Sequence, residues 1–266
     1  MTGKYTKRDD RRRLRRQRRL RFTAVLVGEF LVTAGVVLWL FLVWFVGIND
    51  VVQGQQQADS AGEVAAEWNE PLADELEGDS LSSKPSEVMP VLTEPPTTEP
   101  AVPGTGFALL YVPRFGENYV RSIAEGIDLQ SVLNSSEFGV GRYPESSALG
   151  DSGNFALAGH RTTYGASFAR IGELRIGDRI YVEVEQGWYS YQFRNLEYVW
   201  PTEIDVLNSF PKLSEAPEGT RVITLTSCHP RFSEAERIIA YGVYEGWYPR
   251  EGGPPTEIAH LMEGAT

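Results

Sequence analysis

Between Phe22 and Val46 the chain places one charged residue, Glu29, in 25 positions. As a helix at about 1.5 Å per residue the run is about 37 Å long, enough to cross the roughly 30 Å hydrocarbon core of a bilayer with some tilt. Residues 1–21, which precede it, hold two lysines and nine arginines against Asp9 and Asp10, a net of +9. A buried core helix does not carry so basic a leader. A cleavable leader has an apolar core of about 7–15 residues and a small-residue cleavage site. This run is longer and ends in Trp44-Phe45-Val46-Gly47. An uncleaved signal anchor over residues 22–48 is therefore expected, single-pass, in the cell membrane. The arginines keep segment 1–21 cytoplasmic and place everything beyond the span outside the cell. A basic cluster beside an apolar span is attracted to anionic headgroups, which accounts for it without nucleic acid. The sequence assigns Glu29 no role.

The whole chain of 266 residues has a net charge of -11, so residues beyond 21 carry -20, which argues against a nucleic-acid partner. A single cysteine excludes an intramolecular disulfide and a Cys-only zinc site. Residues 49–104 read as a Pro/Glu-rich extracellular linker. They contain seven prolines and no apolar face of period 3.6 or 2, with Ala61–Leu76 at most a transient helix.

From Gly106 the pattern becomes short strands: Phe107–Val112, Asn154–Gly159, Arg179–Glu185, Trp188–Tyr198, Arg221–Ser227 and Arg237–Tyr244. Ile180, Val182 and Val184 alternate strictly with Tyr181, Glu183 and Glu185, and Gln186-Gly187 signals a tight hairpin. Helical signal is limited to Asp128–Leu133 and Ala166–Leu174. An all-β domain over 105–250 follows, an antiparallel barrel or sandwich, with a flexible tail over 251–266.

Three residues at strand ends carry chemistry. Asn154, Ala156, Ala158 and His160 share one face by the period of two, and the small residues leave room along it. Cys228 ends another strand with Val222, Thr224 and Thr226 on its face, and Arg237 opens the next strand. A thiolate nucleophile needs a nearby base or cation, which His160 can supply. An oxyanion needs a fixed donor, which Arg237 can be at any working pH. Together they complete an acyl-transfer site, although spacing alone leaves open whether they meet. Cys228 as a small buried hydrophobe is the competing reading, against which stands the oxidation liability of an unpaired thiol outside the cell. His229 points to the other face and has no ligand cluster around it; His260 lies in the tail.

Thr224–Pro230, reading TLTSCHP, resembles the sortase signature, a TLxTC run ending at the catalytic cysteine. Gly153–Tyr164, reading GNFALAGHRTTY, resembles the strand with the sortase histidine, and Arg237 falls where the family's arginine lies. Leu110–Gly116, Gly141–Pro144 and the CHP and GHRTTYG variants are similar to class E sortases, cysteine transpeptidases of Gram-positive bacteria. The resemblance covers about residues 107–246. It implies a closed, eight-stranded sortase barrel. It implies cleavage of an LAxTG-like or LPxTG sorting signal between Thr and Gly through a Cys228 thioester. The partners implied are secreted proteins bearing such signals and a cell-wall peptidoglycan precursor amine as acceptor. The catalytic set is then Cys228, His160 and Arg237, with Arg231 the competing arginine. Tyr143, Thr226, Ser227 and Thr162 are the expected substrate-binding residues. Ser227 departs from the family's usual Thr; it keeps the hydroxyl and loses a methyl. No cofactor is implied. Calcium at Glu203, Asp205, Glu215 and Glu218 is the one ion weighed, against ordinary solvation of an acidic loop. The alternatives are an anchored sortase-like binding or assembly module without activity, and a pilus-polymerising sortase. The latter often carries an Asp-aromatic lid, which residues 84–104 do not supply. An L,D-transpeptidase would need a Ser/Thr-x-Gly before its cysteine, which Leu225–Pro230 does not supply.

Overall fold

The computed structural model describes residues 5–77, 90, 94–212 and 216–263. They fall into two compact units, one ending at Ile48 and one beginning at Asn49. The first is helix α1 (Tyr5–Val43), closed by a wider π turn over Trp44–Ile48. Its stretch Arg16–Val43 is long and apolar enough to cross a membrane, and its apolar side chains are exposed.

The second unit is a closed eight-stranded barrel with helix α2 (Asn49–Glu77) and a short C-terminal helix α3 (His260–Glu263) against it. The strands are β1 (Gly106–Tyr111), β2 (Val120–Glu125), β3 (Val140–Arg142), β4 (Gly153–Gly159), β5 (Arg179–Val184), β6 (Gly187–Val199), β7 (Arg221–His229) and β8 (Glu236–Pro249). Their order around the barrel is β1-β2-β3-β4-β7-β8-β6-β5, and β5 closes onto β1. All six predicted strands are present. The expected all-antiparallel arrangement is corrected at two places: β2 runs parallel to β3, and β4 runs parallel to β7. The β5–β6 hairpin turns on Glu185 and Gln186, with Val184 paired to Gly187.

Closing the sheet leaves one face of each strand toward a single apolar core. Ile180, Val182 and Val184 point into it, as their alternation predicts, with Leu110, Phe155, Leu157 and Ile223. Several outer faces are covered as well. Leu109, Tyr111, Tyr181 and Trp188 form a second apolar layer under Ala61 and Ala65 of α2. The fully buried Glu183 accepts from Tyr111 Oη at 2.5 Å and pairs with Arg250 at 2.9 Å. Arg250 lies 4.3 Å over the Trp188 ring and donates to Asn69 of α2.

The structure therefore revises the linker expectation: residues 49–77 are helical, and those from Asp50 to Asn69 are packed on the barrel. Farther along, Thr98 N–H donates to Leu149 O and Tyr189 Oη donates to Pro96 O, so this stretch also lies along the barrel. The tail is likewise seated over Glu251–Glu263. Ile258 is buried, Tyr181 donates to Glu257, and His260 meets Glu117 O at 3.0 Å. The Ala166–Leu174 helix reduces to one 3-10 turn, Ile171–Glu173, whereas Asp128 caps a π turn over Leu129–Leu133.

Asn154 holds the 200–212 loop over the outer face of β4. Its Nδ2 donates to Val206 O and Asn208 O, both at 3.1 Å, and its Oδ1 accepts from Thr224 Oγ1 at 2.7 Å. Asn154→Ala strands three buried polar partners. We expect a loss of about 2–4 kcal/mol in stability, checked by urea unfolding of the barrel's tyrosine and tryptophan fluorescence.

Candidate active site

The site lies on the outside of the barrel. Along β7, Ile223 and Leu225 enter the core, which turns Thr224, Thr226 and Cys228 outward. Along β4, Phe155 and Leu157 point in, which turns Asn154, Ala156, Ala158 and, just beyond the strand, His160 outward. The two strands pair in parallel from Gly153↔Arg221 to Ala158↔Thr226. Two residues farther along each chain come His160 and Cys228. On the other flank of β7, Cys228 is the direct antiparallel partner of Arg237 on β8, and such partners project to the same face. Val199 of β6 is next in the row, opposite Arg237. Register alone thus lines up His160, Cys228 and Arg237 across three adjacent strands. Behind them on β4 and β7 lie small, buried side chains: Ala156, Ala158, Thr224 and Thr226.

Cys228 is a free, half-buried thiol. Arg237 Nη1 donates to Glu234 O at 3.1 Å and to Glu236 O at 3.0 Å, which fixes the guanidinium at the entry of β8. His160 Nε2 lies 2.8 Å from Asn134 Oδ1. A carbonyl oxygen only accepts, so Nε2 carries a proton in this contact and Nδ1 is the nitrogen left to exchange one. Burial pushes His160 below the ordinary imidazole range, while the carboxylates of Asp50 and Glu234 pull it back up. The Tyr164 ring lies 5.3 Å from the imidazole.

Of the expected substrate-binding residues, two border the groove. Tyr143 Oη and Thr226 Oγ1 are 2.9 Å apart. Burial raises the Tyr143 phenol, with Arg237 and Cys228 near enough to act on it electrostatically. Ser227 is turned to the opposite face. Its Oγ donates to Gly159 O at 2.7 Å and ties β7 to the end of β4. Thr162 is half-buried in the loop after His160, and its carbonyl accepts from Thr163 Oγ1. Arg231 is exposed in the β7–β8 loop with its Nη1 3.4 Å from Ala169 O, outside the row.

His229 points away from Cys228 and rests against Tyr198, ring centroids 4.4 Å apart. In the acidic loop, Asp205 and Glu203 turn to Lys212, at 2.9 and 3.9 Å. Glu215 lies outside the described residues. Among the described residues no group of three or more His, Cys, Asp or Glu is gathered as a ligand set.

Sequence reasoning missed Asn134 and Asp50. Asn134 closes the turn that Asp128 opens, but nothing in the sequence links it to His160. Asp50 lies in the stretch read as a spacer.

Comparison with known proteins identifies the barrel. The sortase domain family matches residues 110–245. Sortase SrtE1 of Streptomyces coelicolor is 34% identical over 241 residues, spanning 87% of this chain and 60% of that protein. Sortase SrtE2 of the same organism is 30% identical over 233 residues, 86% of this chain and 85% of that one. The crystal structure of Sortase E1 from S. coelicolor with a tripeptide in the active site is 36% identical, with a TM-score of 0.54 over 59% of this chain and 98% of that one. The outer-face groove thus belongs to a sortase barrel. The chain is a member of the sortase family of cysteine transpeptidases, and the two S. coelicolor relatives are sortases of class E.

The Ser227 tie gives a test of the Thr-to-Ser departure. Ser227→Ala leaves the Gly159 carbonyl without its donor and should cost about 1–2 kcal/mol. Ser227→Thr keeps the donor and should melt within a degree or two of the wild type. Thermal unfolding of the two variants side by side checks this.

Proposed function

We propose that this chain is a membrane-anchored transpeptidase that cuts an LAxTG-like or LPxTG sorting signal between Thr and Gly. It then transfers the protein to an amine of a cell-wall precursor. The row His160, Cys228, Arg237 across β4, β7 and β8 is the observation that carries this reading. The tripeptide in the active site of Sortase E1 from S. coelicolor supports a peptide as the substrate class.

Each step follows from the residues in the row. Cys228 Sγ attacks the Thr carbonyl carbon as thiolate. Arg237 donates to the oxyanion that forms. As the intermediate collapses, the Thr–Gly C–N bond breaks, and the His160 imidazolium passes its proton to the leaving nitrogen. A thioester and a free Gly amine result. The neutral imidazole then takes a proton from the incoming amine as that nitrogen attacks the thioester. The C–S bond breaks, and thiolate and imidazolium are restored. Burial favours the neutral imidazole, and the carboxylates of Asp50 and Glu234 favour the charged one. Tyr143, half-buried beside Thr226, is the contributor to signal choice.

The location supports the same reading. The apolar span with its arginine-rich leader anchors the chain with residues 1–21 in the cytoplasm. The barrel then works at the outer membrane surface, where secreted clients emerge with their own apolar tails.

The test uses the full chain in detergent with matched LAxTG and LPxTG peptides, with and without an amine nucleophile, read by mass spectrometry. Cleavage between Thr and Gly with transfer to the amine is expected, with more product from LAxTG. Cys228→Ala should form no thioester and no product while keeping the wild-type fold. Arg237→Lys should lose about 100-fold in kcat/KM, because an ammonium cannot reproduce the guanidinium fork. Arg231→Lys should stay near wild type. Near-normal turnover by Cys228→Ala would sink the nucleophile assignment, and a crippled Arg231→Lys beside an active Arg237→Lys would move the oxyanion role to Arg231.

A further inference from the structure

The catalytic row is built entirely from the barrel, yet the partner of the His160 ring is held in place by a helix outside it. Asn134 Oδ1 takes the His160 Nε2 proton at 2.8 Å. The carbonyl of the same Asn134 accepts from Gln53 Nε2 of α2 at 2.8 Å. One turn on, Gln57 Nε2 donates both to Ser135 O at 2.7 Å and to Tyr164 O at 3.0 Å. That one side chain thus clamps the loop before β3 to the loop that follows His160. One turn earlier, Asp50 Oδ2 accepts from Thr163 N–H at 3.0 Å.

The fit is close on both sides. Gln57 is fully buried, and a Cβ on Gly139 or Gly165 would come within 2.5 or 2.3 Å of its amide. Those two glycines have positive φ, 74° and 80°, so they provide both the turn and the slot. Gly54 faces Gly165 backbone to backbone; a Cβ there would lie 3.2 Å from Gly165 O. The loop being held needs holding. Thr163, Tyr164 and Ala166 all have positive φ, 64°, 50° and 44°, conformations that L side chains adopt at a cost of order 1–3 kcal/mol each. A β-branched residue such as Thr163 persists there only when its surroundings fix it.

We propose that Asn134, together with Asp50, Gln53 and Gln57 at the start of α2, forms a positioning set for His160. Asn134 fixes the ring and its tautomer, and α2 fixes Asn134 and the 161–166 loop. This rests on the reading of His160 as the proton carrier. None of the four touches the reacting atoms. They act by setting which ring nitrogen exchanges a proton and how readily the imidazolium forms. The charged groups acting on His160 are Asp50 from α2 and Glu234 from the β7–β8 loop, with Cys228 and Arg237 its neighbours in the row. Asp50 is therefore both a backbone acceptor and the anion that α2 contributes to the histidine. The segment that directly follows the π turn at Trp44–Ile48 is thus part of the catalytic apparatus and no mere tether.

The experiment uses the full chain in detergent, with its three histidines isotope-labelled and the His160 signals assigned by His160→Gln. Asp50→Asn, Asn134→Ala and Asn134→Asp are compared with the wild type by NMR titration and by the pH profile of peptide turnover. Asp50→Asn removes a carboxylate that favours the imidazolium, so the His160 midpoint should fall. The acid limb of kcat/KM should move to lower pH with it, and the plateau should drop because the ion pair becomes rarer. Asn134→Asp keeps the acceptor and adds a charge, so midpoint and acid limb should move up and the Nε2–H tautomer should remain. Asn134→Ala should lose that tautomer signature and about 10- to 100-fold in kcat, with KM little changed. A His160 midpoint unmoved in both Asp50→Asn and Asn134→Asp overturns the proposal. So does equal impairment of Asn134→Ala and Asn134→Asp, the pattern of a merely structural residue. Variants whose His160 midpoints shift as expected, beside a wild type that turns over no peptide, would instead overturn the transpeptidase reading and leave the positioning set standing.

Discussion

Six consecutive pairs, Gly153↔Arg221 through Ala158↔Thr226, hold β4 parallel to β7. The two strands lie 68 positions apart in sequence, and between them the chain builds β5 and β6 on the other side of the barrel. Because side chains alternate with period two, a slip of one residue in this pairing would turn either His160 or Cys228 into the core. What prevents the slip is the inner face: Phe155 and Leu157 of β4 and Ile223 and Leu225 of β7 all enter one apolar core. The row of His160, Cys228 and Arg237 is thus held by hydrophobic burial on the opposite side of the same strands. The polar ties, Thr224 to Asn154 and Ser227 to Gly159, add direction to a register already set.

That division explains how much of the site was legible in the sequence. The apolar alternation of β5 and the runs of β4 and β7 are period-two signals, and the strands stand where those signals place them. Cys228, His160 and Arg237 follow because strand ends and faces can be counted. The orientation of Ser227 follows from the same count. Its neighbour on the strand faces the groove, so Ser227 itself must face away. β2 was missed because all six of its residues are buried, charged Arg121 and Glu125 among them. One face packs on the core and the other is covered, so no alternation survives. β3 is three residues long, too short to carry a pattern.

Helix α2 was hidden differently. Its contact face runs through Gly54, Gln57, Ala58, Ala61 and Ala65, at helical spacing. The spacing is right, but the residues are small or polar, so the face does not read as an apolar stripe. Small residues are what the docking demands, since α2 meets Gly165 almost backbone to backbone and inserts an amide between two loops. Composition that resembles a spacer is here the composition of a close-packed interface. Pro96 farther on misleads in the same way: its carbonyl accepts from buried Tyr189, and Thr98 N–H donates to Leu149 O.

His160 brings these constraints into opposition. In the proposed reaction, burial that pushes the ring toward its neutral form suits a base that must accept a proton from an amine. The preceding step needs the same ring charged, to protonate the departing nitrogen. Deeper burial would favour the second half of the reaction at the expense of the first, and fuller exposure would do the reverse while admitting water to the thioester. Carboxylates near the ring relieve the conflict without moving it. Asp50 and Glu234 come from opposite sides, one from α2 and one from the β7–β8 loop, and each favours the imidazolium. Neither forms an ion pair with the histidine among the described residues, so neither locks it in the charged state. The hydrogen bond to Asn134 is neutral for the same reason. It fixes which nitrogen holds its proton and leaves the other free to change state twice in each turnover.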